Sequence, residues 1–250
     1  MKAKKSLGQN FLKSEPALRK IIETGEIKPS DVVLEIGPGK GALTKKLLEK
    51  AGLVIAVEKD NKLFEFLKEK FAKEITEKKL ILKNDDILEF KNDENIHYKI
   101  IANIPYNITG AILKKFLTEK KQPECMVLMV QNEVAKRITA SDKKESILSI
   151  SVKAYGEPKM IMKVPARYFS PAPKVDSAII AIKNISRKFF EENKVNEEKF
   201  WEIVKSGFAH KRKKLSGNLK NSALKEEILQ ELGNKRAEDL SLLDWILLAK

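Results

Sequence analysis

Val32-Val33-Leu34-Glu35-Ile36 is an apolar run of strand length that stops at Gly37-Pro38-Gly39-Lys40-Gly41, and a helical pattern opens at about Ala42. A strand that runs into a glycine turn and then a helix is the first half of a crossover unit, and the chain repeats the arrangement. Val54-Ile55-Ala56-Val57 ends at Glu58 and precedes a helical stretch over 62–71. Leu80-Ile81-Leu82 runs to Asp85-Asp86. A fourth strand over 99–102 ends at Asn103, before a helix over 109–118 and a strand over 125–131. Strands alternating with helices imply an α/β fold with a parallel sheet and crossover helices. The candidate functional residues stand at the carboxyl ends of these strands, where open α/β sheets bind ligands.

Ahead of this core, Ser14 and Pro16 suit a helix start, with Leu18, Ile21 and Ile22 on one face. Phe11 and Leu12 have no use in a solvated arm, so residues 1–13 are expected to fold back onto the body. Residues 144–156 read as helical, the stretch from Lys159 to Val164 as an edge strand, and Val175 to Ile182 as a further strand, the last two forming an antiparallel pair. The pattern becomes helical near Asn184, with Asn196 and Ser241-x-x-Asp244 as cap signals. The expected domains are therefore 1–184 and 185–250.

The net charge of +14 makes nucleic acid the first candidate partner. An acidic membrane surface is the second, and Lys211-Arg212-Lys213-Lys214 is the densest basic run. The absence of an apolar run of spanning length argues against a transmembrane protein, and the basic N-terminus has no apolar segment after it to make a secretory signal. A single cysteine, Cys125, fits a reducing cytoplasm and is expected to be a buried structural thiol. No residues have metal-ligand spacing.

The glycine turn is GxGxG and lacks the last glycine of the dinucleotide fingerprint; Lys40 is not followed by the Ser or Thr of a phosphate loop. Glu35, two residues before Gly37, would repel a pyrophosphate and suits a ligand with ammonium and sulfonium charges, such as S-adenosylmethionine. Glu58 stands where an acid binds ribose hydroxyls in such folds, and Asp86, with Asp85 as competitor, could accept from an adenine amine. Asn103-Ile104-Pro105-Tyr106 suits chemistry on a planar amine. The Asn103 side-chain oxygen and the Ile104 carbonyl are two acceptors for the two N–H groups, Pro105 keeps Ile104 out of the helical region, and Tyr106 offers a face for stacking.

These segments resemble the ribosomal RNA adenine N6,N6-dimethyltransferases. The likeness covers most of the chain: LGQNFL at 7–12, EIGPGKGALT at 35–44, VEKD at 57–60, NDDILEF at 84–90, NIPYNI at 103–108, VQNEVAKRI at 130–138, FSPAPKVDSA at 169–178 and KRKKLSGNL at 211–219. The resemblance implies a Rossmann-like S-adenosylmethionine-dependent methyltransferase sheet and a small all-helical C-terminal domain. It implies donor contacts from Asn10, Leu12, Gly37, Glu58, Asp86 and Asn103, joined by Glu35 and Gly39 of the glycine-loop reading. It also implies a target adenine held between Tyr106 and Phe169. The partner implied is small-subunit rRNA, gripped in part by Lys211, Arg212, Lys213 and Lys214; the protein is expected to act as a cytoplasmic monomer without a metal. The segment 138–146 departs from the family pattern. Two further readings of the same core stay open: a large-subunit rRNA adenine methyltransferase, and a non-catalytic assembly or transcription factor.

Overall fold

A computed structural model of the protein describes residues 4, 7–91, 97–220 and 226–250; Lys2 and Lys5 of the basic N-terminal run lie outside them. In chain order the elements begin with β1 (Phe11–Leu12), α1 (Glu15–Gly25), β2 (Val32–Ile36), α2 (Ala42–Leu48), β3 (Leu53–Glu58), α3 (Asn61–Lys70), α4 (Ala72–Thr76) and β4 (Leu80–Asn84). They continue with β5 (Tyr98–Asn103), α5 (Thr109–Thr118), β6 (Met126–Gln131), α6 (Asn132–Thr139), α7 (Ile147–Lys153), β7 (Glu157–Val164), β8 (Phe169–Ser170) and β9 (Ser177–Lys183). The helices α8 (Lys188–Asn193), α9 (Glu197–Gly207), α10 (Leu215–Asn218), α11 (Glu226–Leu232) and α12 (Leu242–Ala249) follow. The chain forms two compact units: one ends at Ala135 and regains Pro158–Ile185, and the other comprises Lys136–Glu157 with Ser186–Lys250.

The first unit is built on a seven-stranded sheet of order β4-β3-β2-β5-β6-β9-β7. Neighbours from β4 through to β6 are parallel, and β9 is antiparallel to β6. This is a mixed, Rossmann-like α/β sheet. The chain winds outward from β2 through β3 to β4 and then returns to the other side of β2 as β5. The carboxyl ends of β2 and β5 therefore flank a topological switch point, the usual crevice for a ligand. The central strands are apolar and buried because helices cover them: Leu18 and Ile21 of α1, Leu43 and Leu47 of α2 and Leu67 of α3 share a core with Val33, Val54, Ile101 and Val127. Ser14 caps α1 by accepting from the Ala17 N–H at 3.3 Å.

The N-terminal segment does fold back: β1 pairs with β8, Phe11 opposite Ser170 and Leu12 opposite Phe169. The late strands lie side by side, β9 inside and β7 at the sheet edge. Two expectations change. The helix over 144–156 shortens to α7, because Ala140 and Lys143 take positive φ (50° and 62°) in the preceding loop and Ser146 caps the helix only there. Cys125 is half-buried and stands one residue before β6; burial pushes its thiol up to about 11, which leaves it a poor nucleophile.

In the second unit Phe200, Ile203 and Val204 of α9 form the buried face, with Asn196 as its cap. The Trp245 ring of α12 comes so close to Gly207 that a Cβ there would meet it at 2.3 Å. Ser241 and Asp244 make the capping box read from the sequence. The altered 138–146 segment is tied down within this unit: the Glu145 N–H donates to the Glu238 carbonyl at 2.7 Å and Lys144 pairs with the Glu238 carboxylate at 2.9 Å. Among the described residues no helix is long and apolar enough to cross a membrane.

Candidate active site

A cavity of about 790 Å³ opens at the switch point, within the range of roughly 300–1,000 Å³ usual for ligand pockets. Glu35 and Gly37 reach it from the end of β2, Glu58 from the end of β3, Asp86 from beyond β4, and Asn103 from the end of β5. Gly39, Asp85, Ile104, Pro105, Tyr106, Asn10 and Leu12 complete the sequence-derived residues that line it.

The glycine loop is shaped by Glu58. Its carboxylate is nearly buried and accepts from the Gly39 N–H at 3.1 Å and the Asp60 N–H at 2.9 Å. Burial raises the Glu58 pKa, and these N–H donors work against that rise. Gly39 needs to be glycine for two reasons: its φ is +61°, and a Cβ would stand 3.0 Å from the Phe11 ring. Asp60, next along, caps α3 through the Lys62 N–H and holds the N-terminal segment, with the Gln9 amide and the Lys4 ammonium each 3.0 Å from its Oδ2. Burial alone would raise the Asp60 pKa, but these donors hold it below the ordinary value.

Glu35 differs from the other acids. It is 1% exposed; its Oε2 makes no well-aligned hydrogen bond among the described residues, although the Thr44 hydroxyl and N–H work against the rise in its pKa. Burial, reinforced by the Glu58 carboxylate, pushes its carboxyl up to about 8. An unfolded chain would lose this proton near 4.5 and the folded chain keeps it to about 8. Raising the pH across that window therefore favours unfolding, and the stability present below it is lost by its upper end. The melting temperature of Glu35→Gln relative to the parent should rise steadily with pH through this window, read by scanning calorimetry. Parallel curves would contradict the assignment.

Asn103 has its side-chain amide fixed: Nδ2 donates to the Asn10 carbonyl at 3.1 Å. Oδ1 therefore faces away as an acceptor, with no donor to it among the described residues. The Tyr106 ring is anchored at its far end, where its hydroxyl shares a 2.5 Å hydrogen bond with Ser177 at the start of β9. Asp86 is engaged by Lys59 at 2.6 Å and by the Leu88 N–H at 3.0 Å; the Lys59 hydrogen bond holds its carboxyl below the ordinary value.

Phe169 is placed differently from the others. It is 3% exposed, belongs to the apolar core and does not line the cavity, although its neighbour Ser170 does. Lys211, Arg212, Lys213 and Lys214 are exposed in the second unit, on a turn that Asn218 fastens by donating to the Gly207 and His210 carbonyls at 2.6 and 3.1 Å. Sequence reasoning missed Gln9, Asp60 and Ser177. The signals were present within LGQNFL, VEKD and PKVDS, but their roles depend on contacts far apart in the chain.

The sequence model described as Ribosomal RNA adenine dimethylase matches residues 1–250. The chain belongs to the ribosomal RNA adenine dimethylase family. Within the family it is similar to Ribosomal RNA small subunit methyltransferase A of Dehalococcoides mccartyi (strain CBDB1), at 42% identity over 98% of this chain and 87% of that one. The protein of the same name from Fusobacterium nucleatum is 38% identical, covering 100% of this chain and 97% of the other. Among solved structures, a dimethyladenosine transferase from Plasmodium falciparum superposes with a TM-score of 0.82, at 28% identity over 95% of each chain. The 23S rRNA methyltransferase ErmE gives 0.77, at 26% identity over 96% of this chain and 98% of its own. As a member of the family the protein is an rRNA adenine dimethyltransferase.

Proposed function

We propose that the protein dimethylates N6 of two adjacent adenines in the 3′-terminal hairpin of small-subunit rRNA, using S-adenosylmethionine, as a step of ribosome biogenesis. The observation that carries this reading is the fixed Asn103 amide, whose free Oδ1 is aimed by the Asn10 carbonyl on the opposite atom. The names of the relatives at about 40% identity support the choice of subunit.

Features of the cavity support this donor. Glu35 lines the cavity with an orphaned Oε2, and a cationic ligand beside it would draw its carboxyl back towards the charged form. Gly37 and Gly39 allow close backbone approach, and Glu58 retains lone pairs for ribose hydroxyls beyond its two backbone partners. Asp86, Asn10, Leu12 and Asn103 are the remaining donor contacts in this reading. The donor supplies an activated methyl group.

The protein's own work is to present the amine. Asn103 Oδ1 and the Ile104 carbonyl accept the two N–H groups, which turns the nitrogen lone pair out of the ring plane. Tyr106, tethered by Ser177, gives the base a fixed face on one side; Phe169, buried in the core and absent from the cavity wall, does not supply the other. Each transfer forms a C–N bond as the donor's S–methyl bond breaks, leaving a neutral thioether, and releases one amine proton. The monomethylated amine still has one N–H for Asn103 or Ile104, so the same pocket serves the second transfer. An unpaired base in a hairpin loop reaches this pocket readily, whereas a duplex base must first flip out at about a few kcal/mol.

Position along the RNA is assigned to phosphate contacts from the Lys211–Lys214 turn. Neutralising all four side chains should weaken RNA binding and flatten the slope of log affinity against log salt by about three. An unchanged slope would make the turn a solubilising face. The decisive experiment compares small subunits, large subunits and perfect RNA duplex as methyl acceptors, with the methyladenines mapped by mass. Dimethylation of neighbouring adenines in small subunits is expected. Preference for large subunits would overturn the choice of substrate, and efficient duplex methylation would overturn the loop-base argument.

A further inference from the structure

An aromatic ring that the proposed reaction leaves without a role stands next to two residues that line the cavity. Tyr168 closes the short turn Ala166–Tyr168, just before β8, and is 38% exposed. The chain passes from this turn into β8 between the two rings: Phe169 is buried in the core, and Tyr168 stays exposed. The Arg167 guanidinium sits over the Tyr168 ring, 5.4 Å from its centroid. The Tyr168 carbonyl accepts the Lys13 N–H at 2.8 Å, and both Lys13 and Ser170 line the cavity. Lys13, Arg167 and Lys174 are all exposed, while the nearby Asp176 carboxylate is held by Lys163 at 2.8 Å and by the Ala166 N–H at 3.0 Å.

We propose that Tyr168 and Arg167 form a stacking platform for the unpaired nucleotide next to the base that enters the cavity. The proposal rests on the reading that an RNA adenine occupies the pocket. An enzyme that modifies two neighbouring adenines must hold one base outside while the other reacts. An exposed ring backed by a guanidinium suits that base, because every base has a face to stack and an arginine plane extends the surface. The surrounding cations suit the phosphates on either side of it. Tyr168 is a positioning residue on this account, since it touches the neighbour and not the reacting amine.

The test uses the intact protein and a hairpin RNA carrying 2-aminopurine either at the target position or at the position beside it. Wild-type protein should quench the fluorescence of both probes. Tyr168→Ala should restore fluorescence at the neighbouring position only, weaken hairpin binding by about tenfold, and leave donor affinity and melting temperature unchanged. Tyr168→Phe, which keeps the ring, should behave as wild type. With unmodified hairpin, Tyr168→Ala should also lower the share of product carrying methyl groups on both adenines. Quenching at the target but not at the neighbour in wild type, or a neighbour signal unaffected by Tyr168→Ala, overturns the platform alone. Quenching at neither position overturns the reading of the pocket as well.

Discussion

Asn103→Ala is expected to lower the rate of methyl transfer by about 10²–10³-fold with the protein still folded. The side chain is half-exposed, and its partner, the Asn10 carbonyl, can turn to water, so little stability rides on it. What is lost is an acceptor already aimed at the amine on which positive charge develops. Removing one such preorganised partner is worth roughly 2.7–4 kcal/mol in comparable sites. Asn103→Asp separates the two duties of the residue: it keeps acceptors on the side chain but has no amide to give to Asn10. Single-turnover rates at saturating donor, together with near-ultraviolet circular dichroism, make the measurement. Wild-type turnover by Asn103→Ala would remove the central premise of the mechanism.

Glu58→Ala should produce the other large effect, and it should be felt twice. Both carboxylate oxygens hold backbone N–H groups, of Gly39 and Asp60, so truncation strands two donors around the glycine loop. Each buried unsatisfied donor costs about 1–3 kcal/mol, and a protein of this size loses roughly 2–4 °C of melting temperature per kcal/mol. The same truncation removes the acid assigned to the donor ribose. That contact lies away from the reacting amine and binds ground state and transition state alike, so donor affinity should fall more than turnover at saturating donor. Glu58→Gln should also be impaired, because half of its head group is a donor facing donors. A variant with unchanged melting temperature and a collapsed turnover number would contradict both parts.

The sheet was legible because its central strands are continuous apolar runs, each stopped by a glycine, an acid or an amide. Glu35, Glu58 and Asn103 could be placed at strand ends for that reason alone, and the switch point then gathers them. Phe169 was not legible in the same way. Its inward direction depends on a two-residue strand whose partner, Phe11–Leu12, stands near the other end of the unit's sequence. Ser177 escaped notice because a serine at a strand start is unremarkable until the Tyr106 hydroxyl is found against it. Gln9 and Asp60 were hidden for a similar reason, since an amide–carboxylate contact across 51 residues leaves no local pattern. The grouping of Lys136–Glu157 with the C-terminal residues is likewise unmarked by any change of composition.

The ribbon of β1 and β8 sets an order of events for a growing chain. Its two strands are about 160 residues apart, a long loop to close before any contact rewards it. Phe11 and Leu12 are synthesised before every other strand of the unit, yet they have no edge to join until Phe169 and Ser170 emerge. The Asn10 carbonyl, which orients Asn103, is carried on that same short stretch. A nascent chain halted after β6 would already possess the parallel strands and the glycine turn, but the segment that holds the Asn103 amide would still lack its tether. Phe11 and Leu12 are thus among the last strand residues of the unit to settle, because they must wait for a strand made much later.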